Sequence, residues 1–239
     1  MKTPRFDLES SIIFQNEDYI LINKPPFIST LEDRNDPYNL LQLVKGIESN
    51  SQVGHRLDKN TSGVLAVARN PEAYKHISLQ FQQRQVQKIY HAVVDGIHSF
   101  EEKVVRDRIL KLSDGTVRID PKGKDAETTF STLQSFMLHS LIQCTPITGR
   151  MHQIRIHLSS LGAPISGDDA YGGKPIYLSK FKRGFNLKKQ TEEEPIMKRM
   201  ALHANFLGFL GLNGEKIEAS APYPKDFSAL LNQLGRNLR

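Results

Sequence analysis

Apolar and polar positions alternate along much of the chain, a pattern that predicts short β-strands joined by tight turns. Apolar residues over 11–15 and 19–24 flank a polar turn at 16–18, which predicts a hairpin that ends at Pro25-Pro26. Val64 to Ala68 is an unbroken apolar run typical of a buried strand. Further strands are expected over 86–96 and 139–147 and on both sides of the turn Leu212-Asn213-Gly214. The charged segment 100–127 is expected to form a hairpin or a surface excursion.

Helical periodicity is confined to a few segments. Apolar residues over 40–47 recur at i, i+3, i+4 and i+7, and Asp36-Pro37 is expected to begin this helix. Asn70-Pro71 is expected to cap a second helix that runs to about Arg84. Residues 148–162 predict a third helix, and apolar residues from Phe227 onward predict a closing one. Segment 179–199, rich in Lys and Glu, is expected to be a solvated loop.

Hairpins dominate this pattern and repeated βαβ units do not, so the predicted fold class is α+β. We expect a largely antiparallel sheet with a few helices between the strands. The chain has 239 residues and contains no internal repeat or low-complexity linker, so we predict one domain over residues 1–239.

Composition narrows the possible functions. Lys and Arg number 32 against 26 Asp and Glu, a net charge of +6 that suits a polyanionic partner without requiring one. The single cysteine cannot form an intramolecular disulfide or a cysteine-rich zinc site. We find no secretory signal and no apolar stretch of membrane length, and we expect a cytoplasmic protein. Glycine-rich motifs for nucleotide cofactors are also missing.

Asp58 is the first candidate for chemistry. It lies in "HRLDKNTSGVLAVA", residues 55–68, directly before the predicted buried strand. A turn or cap aspartate is a common finding, but Arg56 could keep this carboxylate ionised and Gly63 allows a tight entry into the strand. The residues alone leave both interpretations open.

The second candidate is the cluster in "GRMHQIRIH", residues 149–157. Arg150, His152 and Arg155 could bind phosphates or pair with a carboxylate, or could be exposed helix cations. His152 and His157 are five residues apart, which does not match the spacing of a helical zinc pair, so no metal is expected. Tyr90 is either a core tyrosine or, because Lys88 shares its predicted face, a residue beside a polar cleft that could stack on a base.

Four blocks in this order resemble the RluA-type pseudouridine synthases. They are "HRLDKNTSGVLAVA", "KIYHAVVDG", "GRMHQIRIHLSSLGAPISGDDAYGG" and "LHANFLGF", with a partial match at "LINKPP". The resemblance extends from about residue 12 to residue 224. It implies the pseudouridine synthase fold, which has a central mixed, mostly antiparallel sheet with flanking helices and a central active-site cleft. It also implies isomerisation of uridine to pseudouridine in rRNA or tRNA, with no cofactor and no obligatory metal. We expect a monomer that has no membrane or protein partner.

The resemblance also implies roles for particular residues. Asp58 would attack C1′ of the ribose or remove the C2′ proton, Arg155 would pair with Asp58, and Tyr90 would stack on the flipped uracil. Contacts to RNA are expected from a further set of residues: Arg56, His55, Lys24, Arg150 and His152.

The chain departs from the family pattern at a few positions. Phe27 stands where many members have glycine, and Met151 stands where threonine is common. We expect no N-terminal S4 RNA-binding domain before residue 55, so substrate choice would rest on the catalytic domain with help from the basic segment 179–199.

Three other functions stay open at this point. One is a catalytically idle RNA-binding or chaperone module on the same fold. Another is a nucleoside hydrolase that uses Asp58 with a second carboxylate, for which Asp168 and Asp169 are the nearest candidates, although the resemblance puts both in a structural turn. The third is a small-molecule enzyme of unrelated chemistry.

Overall fold

Two compact units make up the protein. The computed structural model describes residues 6–32, 38–182, 184–187 and 191–237. Unit 1 comprises Met1–Lys88 and Ala204–Pro222, and unit 2 comprises Ile89–His203 and Tyr223–Arg239. Within the described ranges, no helix has the length and apolarity needed to cross a membrane. The prediction of a single domain stays a prediction.

Strands account for most of the regular structure, as the apolar pattern predicts. In chain order the strands are β1 (Ile12–Gln15), β2 (Tyr19–Lys24), β3 (Gln52–Val53), β4 (Ser62–Ala68), β5 (Gln87–Asp95), β6 (Lys103–Lys111), β7 (Val117–Ile119), β8 (Lys124–Ser135), β9 (His139–Pro146), β10 (Leu202–Leu210) and β11 (Lys216–Ser220). The helices are α1 (Leu40–Lys45), α2 (Pro71–Gln82), α3 (Gln153–Ser160) and α4 (Lys225–Arg236). The α+β prediction is confirmed.

Unit 1 contains strands in the order β1, β2, β4 and β10, with β3 beside β4 and β11 beside β10. The pairs β1–β2, β2–β4, β3–β4 and β10–β11 are antiparallel. The predicted turn between β1 and β2 is present, and the Asn16 side chain stabilises it by accepting the N–H groups of Asp18 and Tyr19. All of β4 is buried, as its unbroken apolar run predicts.

Helix α1 begins later than predicted. Its N-cap is Asn39, whose side-chain oxygen accepts the N–H of Gln42 at 3.0 Å. The residues expected to begin the helix, Asp36-Pro37, lie outside the described residues. Leu40 and Val44 bury the apolar stripe, whereas Ile47, assigned to that stripe from its spacing, follows the helix and is exposed.

Helix α2 begins where the sequence predicts. The Asn70 side chain accepts the N–H of Ala73 at 2.8 Å and donates to a carboxylate oxygen of Asp18 at 2.9 Å, and Pro71 is the first helical residue. The helix packs Ala73 and Ile77 into the core of unit 1.

Replacing Asn70 by Ala is expected to lower the free energy of unfolding by about 1 kcal/mol, because an N–H of the first helical turn loses its partner. Urea unfolding followed by circular dichroism measures the change. Gln82→Ala, an exposed substitution at the other end of the same helix, is the matched control and should have little effect. Equal stability of both variants would contradict the capping role.

Unit 2 contains strands in the order β5, β9, β8, β6 and β7, and each neighbouring pair is antiparallel. The expected excursion over 100–127 is therefore the β6–β7 hairpin and the start of β8. A core of apolar side chains from β5, β8 and β9 packs against α3 and α4, with Phe130, Ile142, Leu158 and Phe227 fully buried. This core fixes the position of α3, which carries Arg155.

The prediction of a solvated loop over 179–199 is only partly right. Glu192 and Lys198 are exposed, but Phe181 and Met197 are buried in the core of unit 2. Arg199 is buried as well and forms an ion pair with Asp226 of α4 at 2.7 Å. The high Lys and Glu content concealed these anchors, because overall polarity does not show which few side chains point inward. Residues 183 and 188–190 lie outside the described residues.

Candidate functional site

Asp58 lies in a loop, residues 55–61, that leads from β3 into β4, and we call it the Asp58 loop. The Asp58 carbonyl accepts the N–H of Thr61 at 3.0 Å, which closes a turn. Thr30 holds the chain on the N-terminal side of Asp58. Its hydroxyl donates to the Leu57 carbonyl at 2.9 Å and accepts the Leu57 N–H at 3.1 Å. The aspartate is partly exposed and sits on a backbone fixed on both sides.

Lys24 joins the Asp58 loop to the turn after β2. Its side chain is 0% exposed, and its ammonium group donates to the carbonyls of Pro25 and Ile28, both at 2.9 Å, and of Lys59 at 3.3 Å. A buried ammonium is tolerated when carbonyl dipoles replace its water. In this structure the cation supports the loop from beneath, and the expected contact of Lys24 with RNA stays a prediction.

Gly63 sets how closely β4 approaches its neighbour. Its φ of 116° lies in the region that favours glycine, and a Cβ there would lie 2.1 Å from the carbonyl oxygen of Ala204 in β10. A side chain at this position would push the two backbones apart. The glycine thus allows the chain to pass from the Asp58 loop into a fully buried strand within a few residues.

His55 and Arg56 begin the loop and differ in environment. The His55 ring packs against Phe81, and its Nε2 accepts the N–H of Ala66 at 3.2 Å. Burial, and secondly the charge of Lys88, lower the pKa of His55 to about 3, so the ring is neutral. The neutral ring is bonded to β4 and does not offer a cation to phosphate, and the expected contact of His55 with RNA stays a prediction. Arg56 is exposed, and its expected contact with RNA also stays a prediction.

Arg155 lies in the first turn of α3 and is held by a carboxylate. Its Nε and Nη2 donate to the two oxygens of Asp168 at 2.6 and 2.7 Å, with side chains 12% and 2% exposed. The ring of Tyr171 lies under the guanidinium, 4.8 Å from its central carbon. The two contacts offset the unfavourable position of a cation near a helix N-terminus. They fix the guanidinium in one orientation.

Gln153 organises the chain just before α3. It is buried, and its oxygen accepts the Thr148 hydroxyl at 2.7 Å and the Arg150 N–H at 2.9 Å. His152 precedes it with a left-handed φ of 50°, and its Nδ1 is 2.8 Å from the Tyr171 hydroxyl. The Arg150 side chain donates to the Asp125 carbonyl at 3.0 Å. Hydrogen bonds thus hold each residue of the predicted cluster Arg150, His152 and Arg155, and the contacts of the cluster with RNA stay predictions.

Tyr90 lies on β5, where it is paired with Cys144 of β9. Its side chain is partly exposed and packs against the core of unit 2, so the ring has one supported face. The pairing of Asp58 with Arg155 and the stacking role of Tyr90 stay predictions.

Sequence reasoning did not assign the contacts or the burial of several residues in these surroundings. Asp168, treated above as a turn residue, is a carboxylate partner of Arg155, and Tyr171 is its ring partner. Lys88 is buried, and burial lowers its pKa to about 8. The described residues contain no group of three or more His, Cys, Asp or Glu side chains that could hold a metal ion. The absence of a cofactor stays a prediction.

Comparison with known proteins gives consistent matches. A model of the RNA pseudouridylate synthase family matches residues 18–160. The chain is 31% identical over 235 residues to ribosomal large subunit pseudouridine synthase C of Vibrio cholerae, covering 95% of this chain and 70% of that protein. It is 32% identical over 232 residues to a Zymomonas mobilis protein named an RNA pseudouridine synthase, covering 93% of this chain and 98% of that protein.

A solved structure agrees with the sequence matches. The structure of human RNA pseudouridylate synthase domain containing 1 superposes with a TM-score of 0.69 and 28% identity, covering 90% of this chain and 83% of that one. The family match includes the segments that carry Asp58, Tyr90 and Arg155. The chain belongs to the RNA pseudouridylate synthase family, as its resemblance to the RluA type predicts.

Proposed function

We propose that this chain converts uridine to pseudouridine in large-subunit ribosomal RNA, with Asp58 as the catalytic carboxylate. The observation that carries the proposal is the family match over 18–160, which contains the complete Asp58 loop. Relatives from several bacteria carry names that specify the large ribosomal subunit. The anchoring of the loop through Lys24 and Thr30 supports the proposal, since a reacting group needs a fixed position.

The chemistry breaks the C1′–N1 bond of the uridine, turns the uracil and forms a C1′–C5 bond, and the proton at C5 moves to N1 or to water. A carboxylate at Asp58 can promote this in two ways. It can attack C1′ and form a covalent sugar intermediate, or it can remove the C2′ proton and form a glycal. Both routes need the ionised form of Asp58, and both stay open.

Tyr90 and Arg155 have supporting roles in this proposal. Tyr90 offers a partly exposed ring that can stack on a uracil turned out of its helix, and its hydroxyl can assist removal of the C5 proton. Arg155 supplies a fixed positive charge, because Asp168 and Tyr171 hold its guanidinium. Arg56, Arg150 and His152 are the proposed contacts to the RNA backbone.

Tritium release tests the proposal directly. Large-subunit rRNA and total tRNA are transcribed with uridine that carries tritium at C5, and release is measured with the purified protein. We expect release from the rRNA, followed by a single pseudouridine signal or a few signals when cellular rRNA is mapped with and without the gene. Tritium release from tRNA alone would indicate that tRNA is the substrate. Binding of both RNAs without tritium release would favour the catalytically idle RNA-binding module.

We further propose that the protein acts as a monomer in the cytoplasm without a protein partner. Cys144 is fully buried in β9 and burial raises its pKa, so it is a poor candidate for a disulfide between chains. Light scattering is expected to give a mass near 27.1 kDa. A stable mass twice as large would contradict the monomer.

A further inference from the structure

Phe27 has a backbone conformation that aromatic residues rarely adopt. It follows Pro26 in the turn after β2, and its φ is 69°. Glycine reaches this region without steric cost, whereas a Cβ crowds the neighbouring carbonyl oxygen. Positions of this kind after proline in a tight turn favour glycine. The chain therefore keeps a bulky side chain where its own backbone disfavours one.

Packing within the fold accounts for this side chain only in part. Phe27 is 52% exposed, so burial offsets only part of the strain and about half of the residue faces solvent. Strained residues of this kind persist where the surrounding structure holds them, and they concentrate at functional sites.

The turn that carries Phe27 is fixed to the Asp58 loop. The Phe27 N–H donates to the carbonyl of Lys59, the residue after Asp58, at 2.8 Å. The buried ammonium of Lys24 bonds to the carbonyls on both sides of Phe27, those of Pro25 and Ile28. The backbone that carries the exposed ring is thus hydrogen-bonded to the residue that follows the proposed catalytic aspartate.

We propose that the Phe27 ring stacks on an unpaired RNA base next to the reacting uridine and so contributes to substrate selection. A uridine turned out of its helix leaves its neighbour without a stacking partner, and an exposed, rigid aromatic ring can replace that partner. Base–aromatic stacking does not depend strongly on base identity, so the ring selects an unpaired neighbour more than a particular base. Leu31, 39% exposed and next to Thr30, adds apolar surface on the same segment. The inference rests on the proposed function, since it needs RNA at Asp58.

Steady-state kinetics on tritium-labelled large-subunit rRNA test the role of the ring. Phe27→Gly is expected to raise KM about tenfold with kcat nearly unchanged, as loss of one stacked base predicts. The same variant should have a higher Tm than the wild type, because glycine removes the backbone strain. Phe27→Trp should keep KM near the wild-type value. Leu79→Ala, which removes an exposed apolar side chain of α2, is the matched control and should leave KM unchanged.

A binding measurement gives a readout that does not depend on turnover. An RNA fragment around the mapped uridine carries 2-aminopurine at the neighbouring position, and its fluorescence is measured on Asp58→Asn with and without Phe27→Gly. We expect Asp58→Asn to quench the 2-aminopurine fluorescence, and we expect this quenching to be lost when Phe27→Gly is added. Unchanged KM and fluorescence with Phe27→Gly, or an equal rise in KM with Phe27→Trp, would overturn the stacking role while the proposed function stands. A wild-type protein that releases no tritium from any RNA would overturn both.

Discussion

The Asp58→Asn variant is expected to lose tritium release from labelled rRNA by about 10³-fold or more, because an amide can neither attack C1′ nor accept a proton from C2′. Its fold should be unaffected. Thr30, Lys24 and the backbone of the loop contribute contacts that hold the Asp58 loop, and the substitution leaves these groups in place. Filter binding should therefore give the same affinity for RNA, and the Tm should stay close to that of the wild type.

A matched variant separates the reacting carboxylate from loss of charge in general. Asp114→Asn makes the same chemical change at an exposed turn between β6 and β7 and should retain full turnover. Full turnover by Asp58→Asn would remove the aspartate from the mechanism. Equal loss of turnover in both variants would indicate an effect of charge on RNA binding.

Asp168→Asn is expected to lower both stability and activity. The two charge-assisted hydrogen bonds to Arg155 join side chains that are nearly excluded from water, and removal of one charge from such a pair costs about 3 kcal/mol. The guanidinium also loses the group that orients it, so turnover should fall by about tenfold or more. Urea unfolding measures the first effect and tritium release the second.

The exposed ion pair Arg108–Asp125 provides the control for this variant. Asp125→Asn removes a carboxylate from an arginine at 3.1 Å, but both side chains face solvent and water screens the interaction. Stability and turnover should stay close to wild type. If Asp168→Asn were equally mild, Arg155 would not depend on Asp168 for its position, and the proposed orienting role would be wrong.

Local sequence signals predicted the elements that depend on local physics. The hairpin of β1 and β2, the buried strand β4 and the Asn70 cap of α2 all appear as predicted, because turn chemistry, apolar runs and capping act over a few residues. The start of α1 was placed too early. Asp36-Pro37 is a good capping pair by residue type, but the Asn39 side chain is the one that bonds to the helix N-terminus.

The candidate site was predictable in part. Asp58, Tyr90 and Arg155 were singled out by motif, and the family match extends over all three. The contacts that Lys24 and His55 make within the fold were not predictable from residue type. A lysine and a histidine in a basic protein suggest RNA contacts. In the structure, Lys24 donates to three carbonyl groups, and His55 accepts a backbone N–H of β4.

The sequence by itself determined the fold class, the family and the three residues proposed for catalysis, because these depend on the spacing of residues along the chain. Only the tertiary structure decided which groups hold the proposed catalytic residues and the loop around Asp58. Asp168 lies 13 residues from Arg155 along the chain and Lys24 lies 35 residues from Lys59, and their contacts exist only after folding. The backbone strain at Phe27 also exists only after folding. Its positive φ arises in a turn that the buried ammonium of Lys24 holds in place, and residue type alone does not show it.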